Sequence, residues 1–173
     1  MSHGEGGSKR TKDSAQFALT SSPRYTRATQ EDAMPVTSFD HVSYPTGNPK
    51  RFLDFYKRLG FRIMNEERWR KGESKIFSVQ VAPDAMINVH PAPFVPDPRM
   101  RGRTATPGCA DFCMVWEGTV DEILAMLKRA NIKPVEGPVP RTGGRGAGSV
   151  PSTSVYIKDP DGNLVEFMVY DKR

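Results

Sequence analysis

The sequence predicts an α+β fold: two tandem βαβββ modules forming an open curved sheet, with the helices on its outer face. Two observations carry that expectation. The order strand, helix, three strands can be read twice, and the helix ends of the two copies, Arg58-Leu59-Gly60-Phe61-Arg62 and Arg129-Ala130-Asn131-Ile132-Lys133, correspond at an offset of 71. The chain also closes on a hairpin, Ser154 to Tyr170, whose turn reads Asp159-Pro160-Asp161-Gly162-Asn163. Pro160 presets φ there, and Gly162 supplies the positive φ that other residues resist.

Residues 1–37 are rich in Ser, Gly, Thr and charge, with little periodicity, and read as a disordered polar tail in which His3 is incidental. The domain spans 38–173. Module one, 38–91, opens with a strand at Ser38–Tyr44. A helix follows over Lys50–Leu59, with apolar residues at helical spacing and Gly60 placed to end it. Strands follow at Phe61–Met64, Lys75–Ala82 and Ala85–His90. Five prolines between Pro91 and Pro107 predict a stiff linker over 92–108. Module two, 109–171, has a strand at Cys109–Trp116 and an amphipathic helix at Val120–Ala130. Thr119 and Glu122 form a capping-box pattern at the start of that helix. A strand begins at Ile132–Val135, a Gly/Pro/Arg-rich loop covers Gly137–Ser152, and the hairpin ends the module.

The chain has 173 residues and a net charge of +5, spread along its length. No motif or aromatic-interleaved basic stripe points to nucleic acid, and no apolar run approaches the ~18 residues of a membrane span. No apolar segment near Met1 reads as a secretion signal, and Cys109 and Cys113, four apart on one strand, lie too far apart to bridge comfortably. A reduced, cytoplasmic protein is the expectation.

Period-two alternation places one set of side chains on each strand face. Phe39, His41 and Ser43 share a face; so do Met86, Asn88 and His90; Cys109, Asp111 and Cys113; and Leu164, Glu166 and Met168. Each opposite face is bulky and apolar. The four ionisable groups His41, His90, Asp111 and Glu166 therefore converge if the two units curl into one cup. In that scheme His90 falls on Glu166 and His41 on Asp111. Two imidazoles and two carboxylates suit one divalent metal ion, with Zn, Ni, Co, Mn and Fe all compatible. Asn88 and Cys113 share those faces and are candidate substrate contacts. Arg141 and Arg145, in the Gly-rich loop, are candidates to hold an anionic substrate group.

Several stretches resemble the vicinal oxygen chelate superfamily, which includes glyoxalase I, bleomycin-resistance proteins and extradiol dioxygenases. They are Phe39-Asp40-His41-Val42, Arg51–Gly60, Asn88-Val89-His90, Ala110-Asp111-Phe112-Cys113, Glu136–Gly143 and Asp159–Glu166. The look is nearest to little-characterised glyoxalase-domain proteins, some labelled virulence proteins. The resemblance implies a glyoxalase-type cup with metal ligands from the first and fourth strands of each module, mapping onto His41, His90, Asp111 and Glu166. The sequence departs from glyoxalase I, where a carboxylate usually stands at the His90 position and His at the Asp111 position.

What the resemblance implies is a metal-dependent lyase or isomerase acting on a small carbonyl or thiol-conjugated substrate, with Glu166 or Asp111 as the proton-moving base. Two alternatives stand beside it: an Fe(II) ring-cleaving dioxygenase using His41, His90 and Glu166, and a small-molecule binding protein without turnover. A homodimer is a further expectation, because open cups and free sheet edges are often paired.

Overall fold

The structure, a computed structural model, describes residues 38–171 together with Met1 and Val36. The expected tail, His3 included, otherwise lies outside the described residues.

Module one comprises β1 (His41–Thr46), α1 (Pro49–Arg58), β2 (Arg62–Met64), the short α2 (Glu66–Arg70), β3 (Phe77–Ala82) and β4 (Ala85–Pro91). Module two comprises β5 (Asp111–Val115), α3 (Val120–Arg129), β6 (Glu136–Thr142), β7 (Pro151–Lys158) and β8 (Leu164–Tyr170). Each module makes one four-stranded sheet, and the orders correspond: β1-β4-β3-β2 and β5-β8-β7-β6. First and fourth strands run parallel in both, and the other neighbours are antiparallel.

Local chemistry starts the helices where the sequence places them. The Asn48 side chain accepts from the Arg51 N–H at 3.1 Å ahead of α1, with Pro49 at the first helical position. Thr119 and Glu122 form the expected capping box at α3. The apolar stripes of the two helices meet in one core. Phe52, Leu53, Phe55 and Tyr56 of α1 and Ile123, Met126 and Leu127 of α3 are buried with Ile87 and Val89 of β4 and Val165 and Phe167 of β8. Each such side chain contributes about 1.5–3 kcal/mol by leaving water.

Three elements differ from the sequence reading. Residues 132–135, where a strand is expected to begin, precede β6 rather than open it. Glu66–Arg70 forms one helical turn held by the pairs Arg70–Glu66 and Lys71–Glu67, between two predicted strands where no helix is expected. Glu136–Thr142 is a strand, not the start of a loop. Pro138 and Pro140 argue against a strand in general, but β6 lies at the sheet edge, where one side of a strand owes no hydrogen bonds. Arg141 is consequently a strand residue.

The turn between β7 and β8 ties the modules together. Asp159 is 5% exposed and Asn163 is fully buried. Asp159 Oδ1 accepts from the Asp161 and Asn163 N–H groups, and its Oδ2 accepts from the Asn163 amide and from the Tyr56 hydroxyl of α1. Asn163 Oδ1 in turn accepts from the Ala110 N–H ahead of β5 at 2.8 Å. The Asp161 carboxylate accepts from the hydroxyl of Thr46, the last residue of β1, and from the Gly47 N–H just past it. On the far side of the core, the Arg58 guanidinium donates to the Ala130 carbonyl.

Replacing Asp159 by Ala leaves several buried donors unpaired, and should cost about 3 kcal/mol in urea unfolding. Burial is the largest influence on Asp159, and it raises the carboxyl above its ordinary value. Its contribution to stability is therefore full below the unfolded carboxyl value and is lost as pH rises through the folded one. The stability advantage of the natural protein over Asp159→Asn is accordingly expected to widen from pH 7 to about pH 4.5. An unchanging gap would contradict this account.

Candidate functional site

The alternation read from the sequence holds on β1, β4 and β5 and on β8 as far as Phe167, beyond which Met168, expected on the Glu166 face, is buried. His41 and Ser43 are exposed while Tyr44 is buried, and Asp111, Cys113 and Val115 are exposed beside half-buried Phe112 and Met114. Ile87 and Val89 are buried, with Asn88 and His90 half-buried on the other face; Val165 and Phe167 are buried, with Glu166 half-buried between them.

Strand register decides which of these groups are equivalent. In module one His41 pairs with Met86, Ser43 with Asn88 and Pro45 with His90. In module two Asp111 pairs with Leu164, Cys113 with Glu166 and Val115 with Met168. His41 therefore stands to Asn88 as Asp111 stands to Glu166. The counterpart of His90 is Met168, so the expected match of His90 with Glu166 is displaced by two residues. Alternation reports the face of a strand but not the level along it, and Asn88 and His90 have the same parity.

Each polar group has a defined environment. His41 Nδ1 lies 2.6 Å from Asp40 Oδ1, which leaves Nε2 outward. The Ser78 hydroxyl donates to Asn88 Oδ1 at 2.7 Å. The His90 ring meets Phe94 edge-on at 5.8 Å, and burial pushes its imidazole below the usual value. The Tyr156 hydroxyl donates to Glu166 Oε1 at 2.9 Å. Arg141 Nε donates to the Tyr156 hydroxyl at 3.0 Å, while its Nη2 donates to Glu136. Arg141, Tyr156 and Glu166 thus form a chain across three adjacent strands. The same alternation places Tyr156 on one face of β7 with Ser152 and Ser154, and this is the signal in the sequence that marks it. Arg145 lies apart from this chain, its guanidinium 4.4 Å over the Tyr170 ring and its N–H donating to the Tyr170 hydroxyl.

The donors His41, Asn88, Asp111 and Glu166 have the chemistry of a divalent-metal site. Their geometry divides them into two halves, one on each sheet. Among the described residues no three His, Cys, Asp or Glu side chains stand together, so neither the set His41, His90, Asp111 and Glu166 nor the triad His41, His90 and Glu166 is assembled within the chain.

Paired βαβββ modules with polar groups on matching faces of the first and fourth strands define a duplicated, cup-forming class of protein. The chain belongs to the Glyoxalase/Bleomycin resistance protein/Dioxygenase superfamily, whose family model matches residues 38–167. It is similar to the virulence protein STM3117 of Salmonella typhimurium, with 33% identity over 79% of this chain and 87% of that protein. It is also similar to the glyoxalase domain-containing protein RDO1 of Mycosarcoma maydis, with 32% identity over 82% of this chain and 73% of that protein. The crystal structure of STM3117 superposes with a TM-score of 0.65 at 29% identity, covering 80% of this chain and all of that one. No helix among the described residues is long and apolar enough to cross a membrane.

Although Cys113 as a residue is exposed, burial of its thiol and the adjacent Glu166 carboxylate push the group up to about 12. At about pH 8.5 iodoacetamide should therefore modify exposed Cys109 well before Cys113, as read by peptide mass spectrometry. Equal labelling rates would contradict the environment described for Cys113.

Proposed function

We propose that the chain is a glyoxalase-type lyase or isomerase dependent on a divalent metal, acting on a small carbonyl or thiol-conjugated substrate. Its site is built from two half-sites, His41 with Asn88 and Asp111 with Glu166. The observation that carries this reading is the equivalence of the two parallel strand pairs, which gives each module the same two polar positions on an accessible face. The completed site takes one half from each of two copies of the chain. The separation of the halves within one chain and the exposure of Met86, Asp111, Cys113 and Val115 support that assembly.

A bound divalent ion supplies positive charge to a substrate carbonyl oxygen. The chain's own residues do the rest. Asp40 fixes the His41 ring, so that Nε2 is the atom presented. Tyr156 holds Glu166 Oε1, leaving Oε2 to take a proton from the carbon beside the carbonyl and return it to the neighbouring carbon. Arg141 orients Tyr156 rather than meeting the substrate. A second reading, a binding cup without metal or turnover, draws on the unassembled ligand set.

Elemental analysis, native mass and turnover of a thiol–oxoaldehyde adduct test the proposal together. About one divalent ion per chain, a mass twice the chain's, and loss of metal and activity in His41→Ala and Glu166→Ala are expected. Failure to load any of Zn, Ni, Co, Mn or Fe, or full loading of both variants, would sink it in favour of the metal-free cup. Tyr156→Phe should keep the metal but lower kcat by about tenfold, the smaller loss reporting positioning of the base.

A further inference from the structure

We infer that the chain carries a second small-molecule site, separate from the cup, for a single-ring aryl carboxylate. A cleft of about 200 Å³ lies where the linker folds back against the ends of β1 and β4. Pro93, Phe94, Val95 and Pro96 form its linker wall, and Pro45, Thr46 and His90 form the wall from the sheet. Arg101, Ala105 and Pro107 come from the returning part of the linker. An apolar cavity of about 150 Å³ holds a molecule the size of benzene, so this space fits one ring with one substituent.

The chemistry of the walls selects the ligand. Proline rings and Phe94 present flat apolar faces, and His90 meets Phe94 edge-on at 5.8 Å. The polar groups there are few. Thr46 has its hydroxyl committed to Asp161. Arg101 does not: its Nε is buried, with no hydrogen-bond partner. A buried N–H left unmade is costly, and a guanidinium edge is the natural partner of a carboxylate, which it binds through two parallel N–H donors. An aromatic ring among the prolines with its carboxylate on Arg101 satisfies both halves of the cleft.

This site stands independently of the metal reading. His90 lies two residues along β4 from Asn88, about 7 Å farther toward the linker. The linker is also the segment that joins the modules, so an occupied cleft braces it against the ends of β1 and β4.

The full chain, treated with chelator, is titrated with benzoate and followed by NMR, including the arginine Nε–H resonances. Benzyl alcohol serves as the neutral ring and acetate as the anion without a ring. Benzoate is expected to bind in the millimolar range or tighter, shifting the Arg101 Nε–H, with about tenfold weaker binding for either control and for Arg101→Gln. Ala105→Leu fills the cleft while keeping the guanidinium, and should abolish binding. Glu166→Gln should leave binding unchanged, whatever the fate of the metal reading. Absence of any shift up to about 50 mM benzoate, well beyond a millimolar Kd, would overturn the inference. So would equal affinity in Arg101→Gln, or a loss in Glu166→Gln as large as that in Arg101→Gln, which would put the ligand in the cup.

Discussion

The buried carboxylate of Asp159 is the interaction on which the arrangement of the two modules depends. A five-residue turn would be closed by Pro160 and Gly162 alone. Asp159 and its partners make it a junction instead. The Asp159 oxygens organise the turn's own backbone and reach Tyr56 on α1, Asp161 reaches the end of β1, and Asn163 reaches the start of β5. A buried charged or polar group is tolerable only when its bonds are made, and here they are made by both modules at once. The placement of β1 against β5, and with it the relation of the two polar strand faces, follows from this one cluster.

The second determinant is the repeated parallel pairing of first and fourth strands. Parallel neighbours keep side chains of like parity on one face, and the register then sets which groups stand level. With the same register in both modules, His41 and Asn88 on one sheet answer Asp111 and Glu166 on the other. The second sheet supports Glu166 with a chain of two residues, Arg141 through Tyr156, where the first supports Asn88 with the Ser78 hydroxyl. The two halves share a frame but not a chemistry: one presents an imidazole and an amide, the other two carboxylates beside a thiol.

Much of the fold was legible because each local signal agreed with the tertiary one. The strand alternation, the α3 capping box and the repeated element order all survive in the structure, since each records burial or a terminal hydrogen bond that the chain itself supplies. What was not legible depends on partners distant in sequence. Pro138 and Pro140 make β6 look like a loop until the position of the strand at a sheet edge is known. Asn88 and His90 are indistinguishable by parity, and only the pairing with β1 separates them. Arg101 reads as one of many surface cations, because its burial is created by a linker folding back on the strand ends.

The prolines of β6 have a consequence for how copies of the chain can meet. A sheet edge grows into a fibre when each added strand finds a row of N–H and C=O groups. At residues 138 and 140 there is no N–H to offer. A strand from another molecule laid along this edge would leave carbonyls unanswered twice in succession. A strand added at that side of module two therefore gains fewer hydrogen bonds than it would along an edge without proline.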